Sequence, residues 1–274
     1  MVRPLPEPER MPAAEAGRKK PDTVVAFDDR MALFLDVDGT LLDIAIAPDA
    51  VVVPPELPGH LRRVATRLGG ALALVSGRAI AALDRLFPAL GCAMAGQHGA
   101  EMRSAEGCEG FMTGAIALPP AVVAAVEGLS KRYPGVVIEP KGVTMAAHFR
   151  LEPDHGPALA AALAAILEES HAPLELIPGK FVFEIAPKAV SKGRAIEHFM
   201  RQPPFAFRRP VFIGDDVTDE DGFAAVARMG GLAIRVGEGG TGNYDHRVES
   251  AAWVRGWLRV AANSGVSAHD HGSV

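Results

Sequence analysis

In the segment Leu33-Phe34-Leu35-Asp36-Val37-Asp38-Gly39-Thr40, three apolar residues are followed by two aspartates that lie one residue apart. An apolar run that ends at polar residues is typical of a parallel strand buried on both faces, and α/β sheets bind ligands at the carboxyl ends of such strands. Side chains alternate along a strand, so Asp36 and Asp38 are expected to point to the same side. Two adjacent carboxylates repel each other unless a cation or a shared proton relieves them, and Mg²⁺ prefers carboxylate and phosphate oxygens. The stretch therefore indicates a Mg²⁺-phosphate site, with an aspartate-rich turn as the alternative.

The overall composition is that of a soluble globular protein. The chain has 274 residues, of which 49% are hydrophobic and 22% charged, and it is long enough for one large domain or two smaller ones. A formal net charge of −5 without a basic cluster argues against a nucleic-acid partner. No apolar run is long enough to span a membrane. The two cysteines lack metal-ligand spacing, which favours a reducing, cytoplasmic compartment.

Strands and helices alternate on both sides of a segment with a different pattern. The order β-α-β-α-β before residue 111, resumed after residue 189, predicts a parallel sheet with helices on both faces. The intervening order α-β-β-α-β-β predicts an antiparallel sheet with helices on one face. We therefore predict an α/β fold with a Rossmann-like core at 27–111 and 189–262, and a smaller α+β cap domain at 112–188. Residues 1–26 are expected to be a disordered tail, and 263–274 a loose one.

Four groups of polar residues follow strands or begin helices in the predicted core. They are the Asp36/Asp38 pair, Ser76, Lys192, and Asp215 with Asp219. A doubly wound sheet can bring such residues to one crevice. A nucleophilic carboxylate, a lysine, a hydroxyl and further carboxylates together fit phosphoryl transfer. Each group also has a simpler explanation when it is taken alone: a helix cap for the serine, a solvated lysine, and an acidic helix N-terminus for the aspartates.

The motif order D-x-D-G-T, hydroxyl residue, lysine and G-D-D-x-x-D resembles the phosphatases of the haloacid-dehalogenase (HAD) superfamily. The resemblance implies that Asp36 is the nucleophile, and that Asp38 protonates the leaving oxygen and then activates water. It also implies that Thr40 and Ser76 hold phosphate oxygens and that Lys192 pairs with the nucleophile and the phosphate.

The same resemblance implies a Mg²⁺ site. Its ligands would be Asp36, the backbone carbonyl of Asp38, and Asp215. Asp216 and Asp219 would lie around these ligands, with Asp219 orienting Lys192 or a metal-bound water.

The position of the predicted cap indicates which group of the superfamily the chain resembles. The interval from Thr40 to Ser76 holds only a loop and a helix, so the cap lies between Ser76 and Lys192. Superfamily members with an α/β cap at this position often act on sugar phosphates. The phosphosugar mutases usually carry a helical cap after the first motif, and the chain does not resemble them.

Over about residues 33–258 the chain resembles the trehalose-6-phosphate phosphatases. Specific motifs include Ser76-Gly77-Arg78, Gln97-His98-Gly99-Ala100-Glu101 and Ser191-Lys192-Gly193. Two positions depart from the pattern, because Val37 and Phe149 stand where an aromatic residue and a tyrosine are common. Neither departure changes a polar group that the resemblance places in the chemistry.

This resemblance implies an enzyme that hydrolyses trehalose 6-phosphate through an aspartyl-phosphate. Glu139, Lys141 and Glu184 would bind glucose hydroxyls, since ionic hydrogen bonds hold polyols well. The remaining residues expected at the crevice are Arg78, Gly99, Glu101, Arg150, Gly179 and Lys180.

Three alternatives stay open at this point. The charges of the cap could belong to an exposed strand face. The substrate could be another sugar phosphate, such as sucrose 6-phosphate or mannosyl-3-phosphoglycerate. The chain could also be a catalytically silent phosphosugar-binding module. We expect a monomer, because no heptad or aromatic stripe is present.

Overall fold

The computed structural model of the chain describes residues 25–45, 50–105, 107, 109–111, 117–179, 181–238, 242 and 244–264. The predicted crevice residue Lys180 lies outside the described residues, as do Cys108 and most of both predicted tails.

The described chain alternates strands and helices, as the sequence predicts. The strands are, in chain order, β1 (Met31–Leu35), β2 (Leu72–Val75), β3 (Ala93–Gly96), β4 (Glu101–Arg103), β5 (Glu109–Phe111), β6 (Val137–Pro140), β7 (Met145–His148), β8 (Leu174–Gly179), β9 (Val182–Pro187), β10 (Arg209–Gly214), β11 (Leu232–Val236) and β12 (His246–Val248). The helices are α1 (Leu57–Arg67), α2 (Ile80–Leu86), α3 (Pro120–Arg132), α4 (Gly156–Ser170), α5 (Lys192–Met200), α6 (Glu220–Arg228) and α7 (Ala251–Asn263).

A large, mostly parallel sheet has the strand order β12-β11-β10-β1-β2-β3-β4-β5. The strands from β12 to β3 are parallel, and β4 and β5 continue the sheet in antiparallel orientation. The first strand, β1, lies between β10 and β2, and all five of its residues are buried. Because β1 and β10 pair in parallel with Leu35 opposite Ile213, the residues that follow both strands meet at one edge of the sheet.

A second, small sheet is antiparallel, with the strand order β6-β7-β9-β8. One face carries Met145, Ala147 and Ile185, which are buried against apolar residues of α3 and α4. Cross-strand register places Glu139, Ala146 and Glu184 in one row on the opposite face. This second face therefore carries charged groups, and Glu184 on it is buried against His98 of the segment after β3.

The structure confirms the α/β fold and adds three strands that the sequence did not predict, namely β4, β5 and β12. Each has only three residues, which is too short for a hydrophobic period to be recognised. Val25 is buried and its carbonyl accepts a hydrogen bond from Trp257 Nε1 at 2.7 Å, so packing begins inside the predicted N-terminal tail. Across the described residues, the helices are too short or too polar to cross a membrane.

Candidate active site

Lys192 joins two aspartates from different strand ends at the centre of the site. Its Nζ lies 2.7 Å from Asp36 Oδ1 and 2.6 Å from Asp219 Oδ1, and all three side chains are buried. Ser191 caps α5 by accepting a hydrogen bond from the backbone N–H of Arg194 at 3.3 Å, which sets Lys192 as the first helical residue. Burial alone would lower the pKa of Lys192, but the carboxylates of Asp219 and Asp36 raise that pKa above its usual value. The lysine therefore stays charged.

Three carboxylates lie close enough together to share a cation. Asp36, Asp215 and Asp219 each offer one oxygen, and these oxygens lie within 4.8 Å of one another. Burial raises the pKa of Asp36 well above its usual range, Lys192 opposes this shift, and Asp219 and Asp215 add to it. Burial, Asp219 and Asp216 likewise raise the pKa of Asp215 to about 7. Clustered, partly desolvated oxygens of this kind fit a divalent metal ion, which would relieve their repulsion.

The acidic loop after β10 is held by its own side chains. Asp219 Oδ2 accepts hydrogen bonds from the backbone N–H groups of Asp215 and Asp216, at 2.9 and 3.0 Å. Gly39 has a φ of +83°, and a Cβ there would lie 2.0 Å from Asp215 Oδ2. The loop and the turn after β1 therefore approach each other at a distance that only glycine permits at this position.

The second aspartate of the first motif has a different partner from Asp36. Arg78 Nε donates to Asp38 Oδ2 at 2.6 Å, and Arg78 Nη2 donates to Asp38 Oδ1 at 2.7 Å. The carboxylate of Asp38 is thus held by Arg78 rather than by the three-carboxylate cluster. The sequence predicts Arg78 at the crevice for the sugar, and in the structure its guanidinium is paired with the carboxylate of Asp38.

The two hydroxyl residues predicted to hold phosphate oxygens are buried near these carboxylates. Thr40 Oγ1 donates to Asp215 Oδ1 at 3.5 Å. Ser76 Oγ accepts from the backbone N–H of Arg78 at 3.2 Å, which is a turn contact and not a helix cap, because the N-cap residue of α2 is Ala79. Both hydroxyls therefore already contact the loops that carry the charged residues.

The predicted sugar-binding residues Glu139, Lys141 and Glu184 make three close side-chain contacts. Glu184 accepts from Lys141 Nζ at 2.7 Å and lies 2.6 Å from His98 Nε2. Burial would raise the pKa of Glu184, but His98 and Lys141 hold that pKa well below its usual range. Glu139 Oε2 lies 2.8 Å from His148 Nε2, and this contact lowers the pKa of Glu139.

Other predicted crevice residues have varied contacts. Arg150 Nη1 donates to the backbone carbonyl of Ala45 at 2.6 Å, which links the small sheet to the loop after β1. Glu101 accepts from Gln97 Nε2 and, at 2.8 Å, from the backbone N–H of Ile80. Gly99, with a φ of +105°, lies in the turn that carries His98.

A cavity of about 620 Å³ opens between the two sheets. Gly39, Asp215 and Asp216 line it from the large sheet, and Pro178 and Gly179 from the small sheet. Its volume is in the range of small-molecule sites. Glu139, Lys141 and Glu184 do not line this cavity, because Lys141 and Glu184 pack against Gly77 and His98 instead.

Two residues that contact this site were absent from the predicted set. His98 was noted only as part of a motif, and its pairing with Glu184 links residues 86 positions apart. Arg235 on β11 is buried, and its Nη1 donates to Glu220 Oε1 at 2.9 Å and to the carbonyl of Asp216 at 3.4 Å. A charged residue inside an apolar strand (Leu232–Val236) was the available signal for Arg235.

Known proteins resemble this chain over most of its length. The family model of trehalose-phosphatase matches residues 34–249. The probable trehalose-phosphate phosphatase of Sinorhizobium fredii is 46% identical, over 76% of this chain and 78% of that protein. The trehalose-6-phosphate phosphatase of Escherichia coli is 40% identical, over 84% and 86% of the two chains.

A solved structure shares the fold. The C-terminal domain of trehalose-6-phosphate phosphatase from C. albicans superposes with a TM-score of 0.76 at 22% identity, over 85% of this chain and 92% of that chain. This likeness shows that the two proteins share a fold. The family model and the two relatives show that the chain belongs to the trehalose-phosphatase family.

Proposed function

We propose that this protein hydrolyses trehalose 6-phosphate to trehalose and phosphate, as the last step of trehalose biosynthesis. The observation that carries the proposal is the buried contact of Lys192 with both Asp36 and Asp219, beside Asp215 and at the same sheet edge as Asp38. A phosphate monoester has a dianionic group, which Lys192 and a metal ion held by the carboxylates would receive while one carboxylate acts as the nucleophile.

In the first step Asp36 attacks phosphorus and forms an aspartyl-phosphate, while the bond from phosphorus to the sugar oxygen breaks. Asp38 gives its proton to that oxygen, so that trehalose leaves as a neutral alcohol. Lys192, held against Asp36, stabilises the negative charge of the phosphoryl oxygens. Thr40 and Ser76 donate to the same oxygens.

In the second step water attacks the phosphorus of the aspartyl-phosphate. Asp38, now ionised, takes a proton from this water, and the bond from phosphorus to Asp36 breaks. Phosphate leaves and Asp36 returns as a carboxylate. Arg78 orients the ionised Asp38 through two hydrogen bonds, and in the first step the Asp38 oxygen that carries the proton turns from Arg78 to the sugar oxygen while the other keeps its hydrogen bond.

We assign Mg²⁺ as the metal ion. Asp36, Asp215 and the backbone carbonyl of Asp38 would hold it, with Asp216 and Asp219 around them. When bound, Mg²⁺ supplies positive charge that neutralises the phosphoryl group. The hard oxygen donors of the cluster fit this ion, and burial together with the neighbouring carboxylates raises the pKa values of Asp36 and Asp215.

We propose that the small sheet is the cap and recognises the sugar. Its face towards the large sheet carries Glu139 and Glu184 in one row, and Lys141 lies beside Glu184. A site built to bind specific hydroxyls rejects analogues that lack them. The residues 112–188 would form this cap domain, and Arg150, Gly179 and Lys180 would border the crevice.

The cytoplasm is the compartment that we propose. Cys92 is buried, and burial raises the pKa of its thiol to about 12, so this cysteine is neither reactive nor paired. We propose that the protein works as a monomer.

The proposal is tested by phosphate release from trehalose 6-phosphate with Mg²⁺, before and after addition of EDTA. We expect release that EDTA abolishes and added Mg²⁺ restores, and no release by the Asp36→Asn variant in folded form. Absence of release by the folded wild-type protein would contradict the proposal and favour a silent binding module. Near-normal turnover by Asp36→Asn would contradict the assigned nucleophile.

A further inference from the structure

Glu184 is a charged residue buried at the boundary between the two sheets. It lies in the central row of the small sheet, and its side chain is 11% exposed. One partner, Lys141, comes from the segment that follows β6, and the other, His98, comes from the turn after β3 of the large sheet. A buried carboxylate requires such partners, because burying an unpaired charge is strongly unfavourable. The position of Glu184 therefore depends on both sheets.

The turn that presents His98 has an unusual backbone. Gln97 and His98 have φ values of 48° and 57°, and Gly99 has a φ of 105°. Two successive non-glycine residues in the left-handed region are strained, and such strain persists only where surrounding contacts impose it, often at functional sites. Here the contacts reach the small sheet, since Gln97 Oε1 accepts from the backbone N–H and the Oγ1 of Thr144, at 3.1 and 3.0 Å.

The same turn is fixed to the loop Ser76-Gly77-Arg78. The backbone N–H groups of Gln97 and His98 donate to the carbonyls of Arg78 and Ser76, both at 2.9 Å. A Cβ at Gly77 would lie 2.7 Å from His98 Nε2, so a glycine is required there for the imidazole to reach Glu184. Lys141 Nζ also donates to the carbonyl of Gly77, at 3.3 Å. His98 thus packs against the loop Ser76-Gly77-Arg78, in which Arg78, the residue after Gly77, is paired with Asp38.

We propose that His98 is a positioning residue for sugar recognition, which holds the Glu184 carboxylate in one orientation across the boundary between the two sheets. This inference rests on the proposed function, in which Glu184 binds sugar hydroxyls. His98 does not bind the sugar itself. It donates through Nε2 to one carboxylate oxygen, Lys141 donates to the other, and the remaining lone pairs of the two oxygens accept from the substrate.

The chain permits a selective test of His98. Asparagine tolerates the left-handed backbone at this position, but its side chain is too short to reach Glu184. Glutamine is long enough to keep an N–H donor near the position of Nε2. We expect His98→Asn to lower kcat/KM for trehalose 6-phosphate about 10- to 100-fold through a higher KM, and His98→Gln to restore most of this loss. Turnover of 4-nitrophenyl phosphate, which has no sugar, should stay unchanged in both variants.

A double-mutant cycle separates positioning from general damage. In a Glu184→Ala background, His98→Asn should cause no further loss, because its effect acts through the Glu184 carboxylate. The matched control is His171→Asn, since His171 also has a left-handed backbone (φ 50°) but is exposed at the end of α4. This control should leave both activities unchanged.

Four results would overturn the proposal. They are equal losses on the two substrates, additive losses in the cycle, no change in His98→Asn, and a gain in kcat/KM, which would mean that His98 competes with the sugar. Failure of the wild-type protein to hydrolyse trehalose 6-phosphate would remove the proposed function, and the His98 proposal with it. A normal wild-type rate with any of the four results would remove only the His98 proposal.

Discussion

Arg78 and Asp38, which lie 40 positions apart in the chain, form a two-point ion pair at the mouth of the large sheet. The hydrogen bonds are 2.6 and 2.7 Å long, and the side chain of Asp38 is 38% exposed. Asp36 lies two residues earlier and is buried against Lys192. Two aspartates of one motif thus have different environments, which is the usual way in which one site separates a nucleophile from an acid–base group.

The assignment of Asp38 predicts a kinetic burst. We expect Asp38→Asn to slow turnover of trehalose 6-phosphate at least about 100-fold, because both the leaving sugar and the attacking water lose proton transfer. With 4-nitrophenyl phosphate the leaving group needs no proton, so the first step should survive while the second is slow. Stopped-flow absorbance should then show a nitrophenolate burst equal to the enzyme concentration.

The matched control for this burst is Asp84→Asn, since Asp84 also forms a two-point pair, with Arg103, away from the site. It should behave like the wild-type protein. A linear trace at the wild-type rate for Asp38→Asn would show that Asp38 is not the acid–base group.

Replacement of Lys192 should destabilise the protein in a pH-dependent way. Lys192→Met leaves Asp36 and Asp219 buried without their cation, and breaking such a contact typically costs about 3–5 kcal/mol. Because the pKa of Asp36 is raised, this carboxyl takes up a proton readily as the pH falls, so the loss should shrink from pH 8 to pH 5. Urea unfolding of the wild-type protein and Lys192→Met at both pH values measures this loss in the free energy of unfolding.

Lys131→Met, at an exposed position in the last turn of α3, provides the comparison and should change the free energy of unfolding little at either pH. A loss in Lys192→Met that is equally large at pH 5 would argue against ionised carboxylates as its cause.

Asp215 should make the metal-free protein less stable as the pH rises. Its folded-state pKa is about 7, above its ordinary value of 3.8, so the fold favours the neutral carboxyl. The relative stabilisation is complete below pH 3.8 and is lost as the pH rises through about 7. In EDTA, Asp215→Asn should therefore melt at a higher temperature than the wild-type protein at pH 8, with a smaller difference at pH 5.

At pH 8 with Mg²⁺, the wild-type protein should melt at a higher temperature than Asp215→Asn. Ligand binding to the folded state raises the melting temperature of the wild-type protein, and Asp215→Asn should respond little. Asp154→Asn, which changes an exposed carboxylate outside the cluster, should respond as the wild-type protein does. An equal Mg²⁺ response in Asp215→Asn would exclude Asp215 as a ligand.

Gly39 should be required for metal binding and not only for the turn. Gly39→Ala adds a methyl group 2.0 Å from Asp215 Oδ2 and also places alanine at a φ of +83°. Gly230→Ala meets only the second difficulty, because its φ is +70° and no atom lies within 4 Å of the added Cβ. Both variants should lose about 1 kcal/mol of stability from the backbone. Calorimetric titration with Mn²⁺ should show weaker binding in Gly39→Ala alone, and equal binding in both variants would contradict the close approach.

Much of this architecture was predictable from local patterns. The strand before Asp36, the cap of α5 at Ser191 and the antiparallel order of the small sheet each follow from a few consecutive residues. The strands β4, β5 and β12 could not be predicted in this way, since three residues cannot show a hydrophobic period. The pairs Arg78–Asp38, His98–Glu184 and Arg150–Ala45 could not be predicted as contacts, because no local pattern specifies which distant side chain a charge meets.

The central claim is the identity of the substrate, and a comparison of the hydrolysis rates of several sugar phosphates tests it most directly. Phosphate release with Mg²⁺ should be measured as kcat/KM for trehalose 6-phosphate, sucrose 6-phosphate, glucose 6-phosphate and mannosyl-3-phosphoglycerate. Hydroxyl recognition by Glu139, Lys141 and Glu184 predicts a preference of at least about 100-fold for trehalose 6-phosphate. Equal or faster turnover of another member would keep the phosphatase chemistry and contradict the assigned sugar.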